Sequence, residues 1–437
     1  MISVLELLNT PLEYLFSLEH FGIKFGLDNI RAILDRLDHP EQAFRAVHVA
    51  GTNGKGSVTA MVEAALRAAG HRSARYTSPH LVDLTERFVV DGQPVSEAEL
   101  SQAVDRVRTV IADLHQRGVL EVHPTFFEVT TAAAFEIFKR ASVEVAVCEV
   151  GLGGRLDATN VLSPMVTAIT SIAFDHQQYL GTSLAEIAGE KAGIVKPGVP
   201  MVVGPVPPEA ARVIEGTARE RNAPLVWARE AVAVESRPAP ARGGQLMRLR
   251  TPRTDYGVVE LRLEGRHQID NAVVAVRILE VLDEIGVDVP KSAITEGLAS
   301  VWWPGRLERI SLASGRTLLI DAAHNPAGAE SLATYLADRA VRHPLVFAAM
   351  RDKDVRGILA ALVRQVSALV FTRASNPRSA DPHDLVAVAR TLAPTLPIVV
   401  EDSVTAALAH AWKLSPDIVA AGSIFLLGDV LKELGRT

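Results

Sequence analysis

The 437-residue chain is 48% hydrophobic and 22% charged, a globular balance that excludes a disordered tail protein or a collagen-like repeat. Its 45 basic and 51 acidic residues leave a net charge of −6, so no summed positive field exists to hold nucleic acid or an anionic membrane. The length suggests two or three domains. A single cysteine, Cys148, sits inside an apolar run and is expected to be a buried, inert thiol.

The opening stretch MISVLELLNTPLEYL lacks the basic region and small-residue cleavage site of a secretory signal. No apolar run approaches the ~18 residues of a membrane span. A cytoplasmic protein without membrane partners is expected. Further along, short β-branched runs alternate with longer segments of 3.6-residue period, the pattern of parallel sheets covered by helices. A strand at 47–49 leads through a Gly-rich turn into a helix whose apolar face is Val58, Met61, Val62, Ala65, Leu66 and Ala69. Gly70 closes that helix. Buried strands are expected at 143–150, 166–172 and 201–203. Residues 237–254 read as a variable surface region or small β excursion, and helical periodicity resumes over 265–282. Pro304-Gly305 breaks regular structure, placing a boundary between residues 1–301 and 302–437. The second unit restarts the alternation, with strands at 317–320, 345–348, 368–371 and 398–400 and helices at 358–366 and 385–392. No internal repeat is visible.

The segment Gly51-Thr52-Asn53-Gly54-Lys55-Gly56-Ser57 lies between a strand and a helix, where backbone N–H groups and the helix dipole converge on phosphate oxygens. Lys55 adds a mobile positive charge. Its spacing departs from G-x-x-x-x-G-K-[ST], because Gly56 separates the lysine from Ser57. Bound phosphates call for a divalent cation held by hard ligands at strand ends. Glu149 ends the 143–148 run and can be exposed at the carboxyl edge of the sheet; His176 ends the next strand. Taken singly, a turn-capping glutamate and a structural histidine are the bland alternatives.

The order of these motifs resembles the folylpolyglutamate synthase and dihydrofolate synthase family, relatives of the Mur ligases. The likeness is carried by residues 48–57, Thr77-Ser78-Pro79-His80-Leu81, EVGLGGRLDATN at 149–160, Asp175-His176, Glu190-Lys191-Ala192-Gly193-Ile194, Pro304-Gly305-Arg306 and Asp321-Ala322-Ala323-His324-Asn325-Pro326. It implies an α/β protein with an N-terminal P-loop ATPase domain built on a parallel sheet and a smaller C-terminal Rossmann-like domain. It further implies ATP-dependent ligation of L-glutamate to dihydropteroate or to a folate, through an acyl phosphate. Ala322, where glycine is frequent, and Val58, after the loop serine, depart from common family wording.

By the same resemblance Thr52, Asn53, Gly54, Lys55, Gly56 and Ser57 hold the phosphates of ATP. Ser78, Glu149 and His176 hold Mg²⁺, with Ser57 as a further candidate ligand. Lys191 can be carbamylated; otherwise it reads as a surface lysine in a turn. Asn271 resembles the adenine contact, while Arg306 and Asp321 resemble the residues by which the C-terminal domain closes on ATP. Their bland readings are a helix cap, a linker arginine and a strand-end aspartate. His324 is a candidate helper at the phosphate or amine. For the pterin the resemblance points to Phe25, Gly26, Thr125, Phe126, Phe127, Glu128, Asp157 and Ala158, with one of the two adjacent phenylalanines expected in the core.

Two rivals are kept: a Mur-type ligase acting on another carboxylate, and a nucleotide-dependent switch without ligase chemistry. The second would be expected to carry a guanine-specifying Asn-Lys-x-Asp box, which Asp352-Lys353-Asp354 does not match. Within the family, a bifunctional enzyme is expected, with a synthase confined to polyglutamylation as the alternative, and a monomer is expected.

Overall fold

The structure is a computed structural model that describes residues 10–22, 24–238 and 243–436. Most of the opening stretch read above, residues 1–9, and the part of the 237–254 region at 239–242 lie outside the described residues.

Eight strands form the first sheet: β1 (Arg45–Ala50), β2 (Ser73–Tyr76), β3 (Phe88–Val90), β4 (Gln93–Pro94), β5 (Val145–Glu149), β6 (Val166–Ile169), β7 (Met201–Val203) and β8 (Leu225–Trp227). Their order is β4-β3-β2-β5-β1-β6-β7-β8. The six from β2 to β8 run parallel, and β3 and β4 extend the edge as an antiparallel ribbon. Near-continuous apolar runs such as residues 145–148 suit strands covered on both faces. One face packs Val47, Val49 and Val147 against the helices Lys55–Ala68 and Arg266–Glu284. The other packs Ala46, Tyr76 and Cys148 against Glu97–Gln116 and Phe126–Arg140. Burial pushes the Cys148 thiol far up, as an inert core thiol requires.

The 237–254 expectation is only half right. Strands β9 (Ala233–Pro238), β10 (Gln245–Arg250) and β11 (Asp255–Leu261) form a separate antiparallel sheet. Its inner face, with Met247, Leu249, Tyr256, Val259 and Leu261, is buried in the core. The region therefore covers the helical layer instead of being mere variable surface.

A third sheet has the order β12-β13-β17-β14-β15-β16, from β12 (Glu308–Ser311), β13 (Thr317–Asp321), β14 (Leu345–Phe347), β15 (Leu369–Phe371), β16 (Ile398–Val400) and β17 (Asp417–Ala421). All but β12 are parallel. Strands β12 and β17 were not anticipated; β17 lies between β13 and β14 and completes that domain's core. Clusters of buried side chains fill both faces of this sheet. Leu81 and Val82, from the loop after β2, pack onto one of them, and a Cβ on Gly428 would lie 2.1 Å from the Leu81 carbonyl oxygen. The two units are thus pinned together beside Ser78.

Candidate active site

The phosphate loop leaves the carboxyl end of β1 and enters the Lys55–Ala68 helix, whose N-terminus is Gly54 at φ +87°. At Gly51 (φ +151°) a Cβ would lie 1.9 Å from Thr170 Oγ1, and at Gly54 one would lie 2.3 Å from Asn271 Oδ1. Both positions exclude a side chain. Lys55 Nζ donates to the carbonyls of Gly51 (3.0 Å) and Thr52 (3.2 Å) and stands 3.8 Å from Glu149 Oε1. Thr52 Oγ1 is tied to the 171–173 segment, and the Thr170 and Ser171 hydroxyls donate to the Asn53 carbonyl. The loop is therefore held rigid by the strand beside it. Ser57 is buried, and its hydroxyl receives a bond from Gln268, whose amide oxygen accepts from Asn271. Asn271 lies inside the Arg266–Glu284 helix, so it is no helix cap; its side chain is laid against the loop.

Glu149 sits at the expected sheet edge but is only 5% exposed, a correction to its expected exposure. The Ser78 segment that follows β2 adjoins it, and the Ser78 N–H donates to Oε2 at 3.3 Å. Burial raises its carboxyl pKa, while Lys55, the Ser78 amide and Arg306 oppose that rise. Lys191 is buried, not a surface lysine, because its helix, Leu184–Ala192, packs inward. Its Nζ donates to the Gly51 carbonyl at 3.1 Å. Burial, reinforced by Lys55, lowers its pKa to about 7. For His176, burial outweighs the attraction of Asp175 and brings the value down to about 4, so its imidazole is neutral at pH 7 and offers a lone pair.

From the C-terminal unit, His324 Nδ1 lies 2.8 Å from the Ala322 carbonyl. Its Nε2 points toward the cleft, 3.5 Å from Asp175 Oδ2. Asp175 also receives bonds from Asn325 Nδ2 (3.0 Å) and Lys353 Nζ (2.6 Å), and Lys353 lies 3.1 Å from His176 Nε2. Asn53 and Asn325 exchange two side-chain amide bonds, at 3.2 and 2.9 Å. Asp321 is buried and accepts from the amides of Leu307 and Ala323. Arg306 is within electrostatic reach of both Asp321 and Glu149. Beside Arg306 opens a groove of about 1010 Å³, also lined by His267, Asp270 and Trp302. The phosphate loop does not line it. The sequence reading gave Lys353, Asn325 and His267 no role at the site.

The residues expected around a pterin divide into two kinds. Phe25 is 48% exposed and faces Tyr179, ring centroids 6.1 Å apart; Gly26 adjoins it with open space around. Phe126 stacks on Phe16 and under Arg87, whereas Phe127 stacks on Tyr76 and a Cβ on Gly151 would meet its ring at 2.5 Å. Both rings are half-buried, so neither is wholly core. Thr125 and Glu128, by contrast, form a reciprocal capping box at the start of the Phe126–Arg140 helix. Asp157 caps the turn that contains buried Ala158 and accepts from Leu152 N. Their side-chain oxygens are already engaged in holding backbone.

A Gly-rich loop suited to phosphates, a half-buried lysine beside a buried carboxylate and a second α/β unit closing over them define an ATP-dependent ligase that forms amide bonds. Residues 49–279 match the Mur ligase middle domain and residues 305–424 the Mur ligase glutamate ligase domain. The chain is 35% identical over 419 residues to the dihydrofolate synthase/folylpolyglutamate synthase of Bacillus subtilis, covering 95% of this chain and 96% of that one. Mycobacterium tuberculosis folylpolyglutamate synthase complexed with ADP and AMPPCP superposes with a TM-score of 0.88 at 36% identity, covering 98% and 99%. E. coli FolC in complex with DHPP and ADP gives 0.83 at 30% identity, covering 98% of each chain. The chain belongs to the folylpolyglutamate synthase/dihydrofolate synthase family of Mur ligases. Among the described residues no helix is long and apolar enough to cross a membrane.

Proposed function

We propose that this chain is bifunctional, ligating L-glutamate both to dihydropteroate and to the glutamate tail of folates at the expense of ATP. The observation that carries the reading is the half-buried Lys55 amine 3.8 Å from the buried Glu149 carboxylate beside the phosphate loop, a charged site at a sheet edge where phosphoryl transfer can be neutralised. A carboxylate is a poor electrophile. Its oxygen first attacks the γ-phosphorus, ADP leaves, and the amine of glutamate then displaces phosphate from the acyl phosphate. The loop amides of residues 52–57 and Lys55 hold the phosphates. Asn271, Arg306 and Asp321 frame the nucleoside end, for which the groove beside His267 leaves room. His324, held between the Ala322 carbonyl and Asp175, is placed to help at the phosphate or the amine.

Mg²⁺ belongs to the same proposal. Among the described residues no three His, Cys or carboxylate side chains are grouped as a cage. The hydroxyl of Ser78, the carboxylate of Glu149 and the neutral imidazole of His176 suit an ion that takes few protein ligands and completes its shell with phosphate oxygens and water. When bound it would neutralise phosphate charge. The buried Lys191 amine, with its pKa near neutrality, is reactive enough to add carbon dioxide and become a carbamate. Exposed Phe25 and half-buried Phe126 and Phe127 provide a flat apolar wall for a pterin. A division into residues 1–301 and 302–437, a monomeric state and a cytoplasmic location complete the proposal.

The test is glutamate-dependent phosphate release with ATP and Mg²⁺, offering dihydropteroate in one reaction and tetrahydrofolate in another, with Lys55→Ala as control. Release in both supports bifunctionality, and release with tetrahydrofolate alone restricts the enzyme to chain extension. Silence in both overturns the reading.

A further inference from the structure

Asp175 belongs to the N-terminal unit, at the carboxyl side of β6, yet the strongest side-chain partners of its carboxylate come from the other unit. Lys353 Nζ reaches Oδ1 at 2.6 Å, and Asn325 Nδ2 and His324 Nε2 reach Oδ2 at 3.0 and 3.5 Å. The Lys353 and Asp175 side chains are 9% and 8% exposed. Asn325 is fixed in turn as the N-cap of the Pro326–Ala337 helix, accepting from Gly328 N, and it grips Asn53 of the phosphate loop from the same atoms. A buried ion pair that spans two units is favourable only when both halves meet, because either half left alone is an uncompensated charge.

We propose that Asp175 is a plug and that Lys353, Asn325 and His324 form its socket, a latch that lets the active arrangement assemble only when the C-terminal unit is closed over the phosphate loop. Lys353 and Asn325 are positioning residues here. They act through Asp175, which orients the His324 imidazole, and through Asn53, which fixes the loop. The cleft thereby reports its closure to the nucleotide end and the amine end together. The inference rests on the ligase reading for its activity assay.

Lys353→Met and Asp175→Asn are compared singly and together with wild type. The latch predicts a fall in kcat of at least tenfold in each single variant, with the dissociation constant for ATP changed less than threefold. It also predicts a double variant no more than threefold below the worse single one, since both substitutions break one contact. Lys353→Arg should recover part of kcat. Amide hydrogen exchange, with ATP bound, should quicken together in residues 171–176 and 322–326 of Lys353→Met. A Lys353→Met that raises only KM for glutamate at unchanged kcat would make Lys353 a substrate contact and overturn the latch, as would strictly multiplicative losses in the double variant. Should Lys353→Met fail to fold, Asp175→Asn keeps the shape and the Asn325 contact, and its kcat decides alone. A wild type silent in phosphate release defeats the ligase reading instead, and the exchange experiment then decides the latch by itself.

Discussion

Replacing Lys191 by methionine should stabilise the protein and stop it working. The amine titrates near 10.5 in an unfolded chain, and burial, with Lys55 nearby, brings it to about 7 in the folded one. Between those values the unfolded chain binds more protons. Stability tied to this amine is therefore full above pH 10.5 and is lost as pH falls toward 7. At pH 7 the penalty is about 4 kcal/mol, following from 1.36 kcal/mol for each pH step between the two values. Methionine fills nearly the same volume and needs no solvation, and the lost bond to the Gly51 carbonyl gives back about 1 kcal/mol. Lys191→Met should accordingly gain about 3 kcal/mol at pH 7, with the gain shrinking toward pH 10. Turnover should fall about 100-fold or more, the scale of losing one preorganised charged group. Thermal unfolding at pH 7 and pH 9.5 in carbon-dioxide-free buffer, beside glutamate-dependent phosphate release, checks both halves. A variant that melts below wild type at pH 7, or turns over at the wild-type rate, refutes the reasoning.

Gly56→Ala would place a Cβ 2.4 Å from Trp303 Cζ2, so the start of the loop helix or the indole must shift, costing about 1–3 kcal/mol and raising KM for ATP; Trp303→Phe in the same chain should recover part of both, and a neutral Gly56→Ala would show the contact to be soft. Phe25→Ala removes an exposed ring whose neighbour is Tyr179: unfolding free energy should change by less than about 0.5 kcal/mol while KM for dihydropteroate rises, and an unchanged KM removes Phe25 from the pterin wall. Asp157→Ala uncaps the turn at Ala158 and frees Leu152 N, which should cost about 1–2 kcal/mol in urea unfolding; a loss of pterin binding at unchanged stability would instead make Asp157 a direct ligand contact.

The phosphate loop was legible because its function is contiguous: seven residues supply the turn, the lysine and the helix N-terminus. Glu149 was legible because an apolar run announces the strand it ends; His176 instead stands beyond the end of β6 as the N-cap of the short Gln177–Leu180 helix, a correction to its expected place at a strand end. The latch was not, since Lys353 meets Asp175 across 178 residues of chain and only the pairing of two units joins them. Strand β17 escaped notice because its core, Ile418-Val419-Ala420-Ala421, is short, alanine-rich and buried throughout, a pattern that fits a helix as well. Strand β12 alternates weakly as the antiparallel edge. Trp303, beside the Pro304-Gly305 break, carries no local signal of its position against the loop helix at Gly56 and beneath Arg75. Thr125 and Glu128 carry a signal that deserved a structural reading first, because T-x-x-E before an apolar run is a capping box.

Burial of Glu149 explains why one α/β unit is insufficient. A carboxylate taken out of water resists ionisation unless positive charge is supplied nearby. Lys55 supplies part from within the N-terminal unit, and Arg306 supplies more from the segment that leads into the C-terminal sheet. Arg306 is itself buried against its preference and is offset by Asp321 and then Glu149. Each charge is thus made tolerable first by a partner in its own unit and further by the other across the cleft. Separating the units would leave Glu149 closer to neutral and Arg306 under-compensated, so docking of the C-terminal unit and a fully charged site are parts of one equilibrium. Such coupling favours transfer of phosphate to a carboxylate in a closed cleft over its loss to water in an open one.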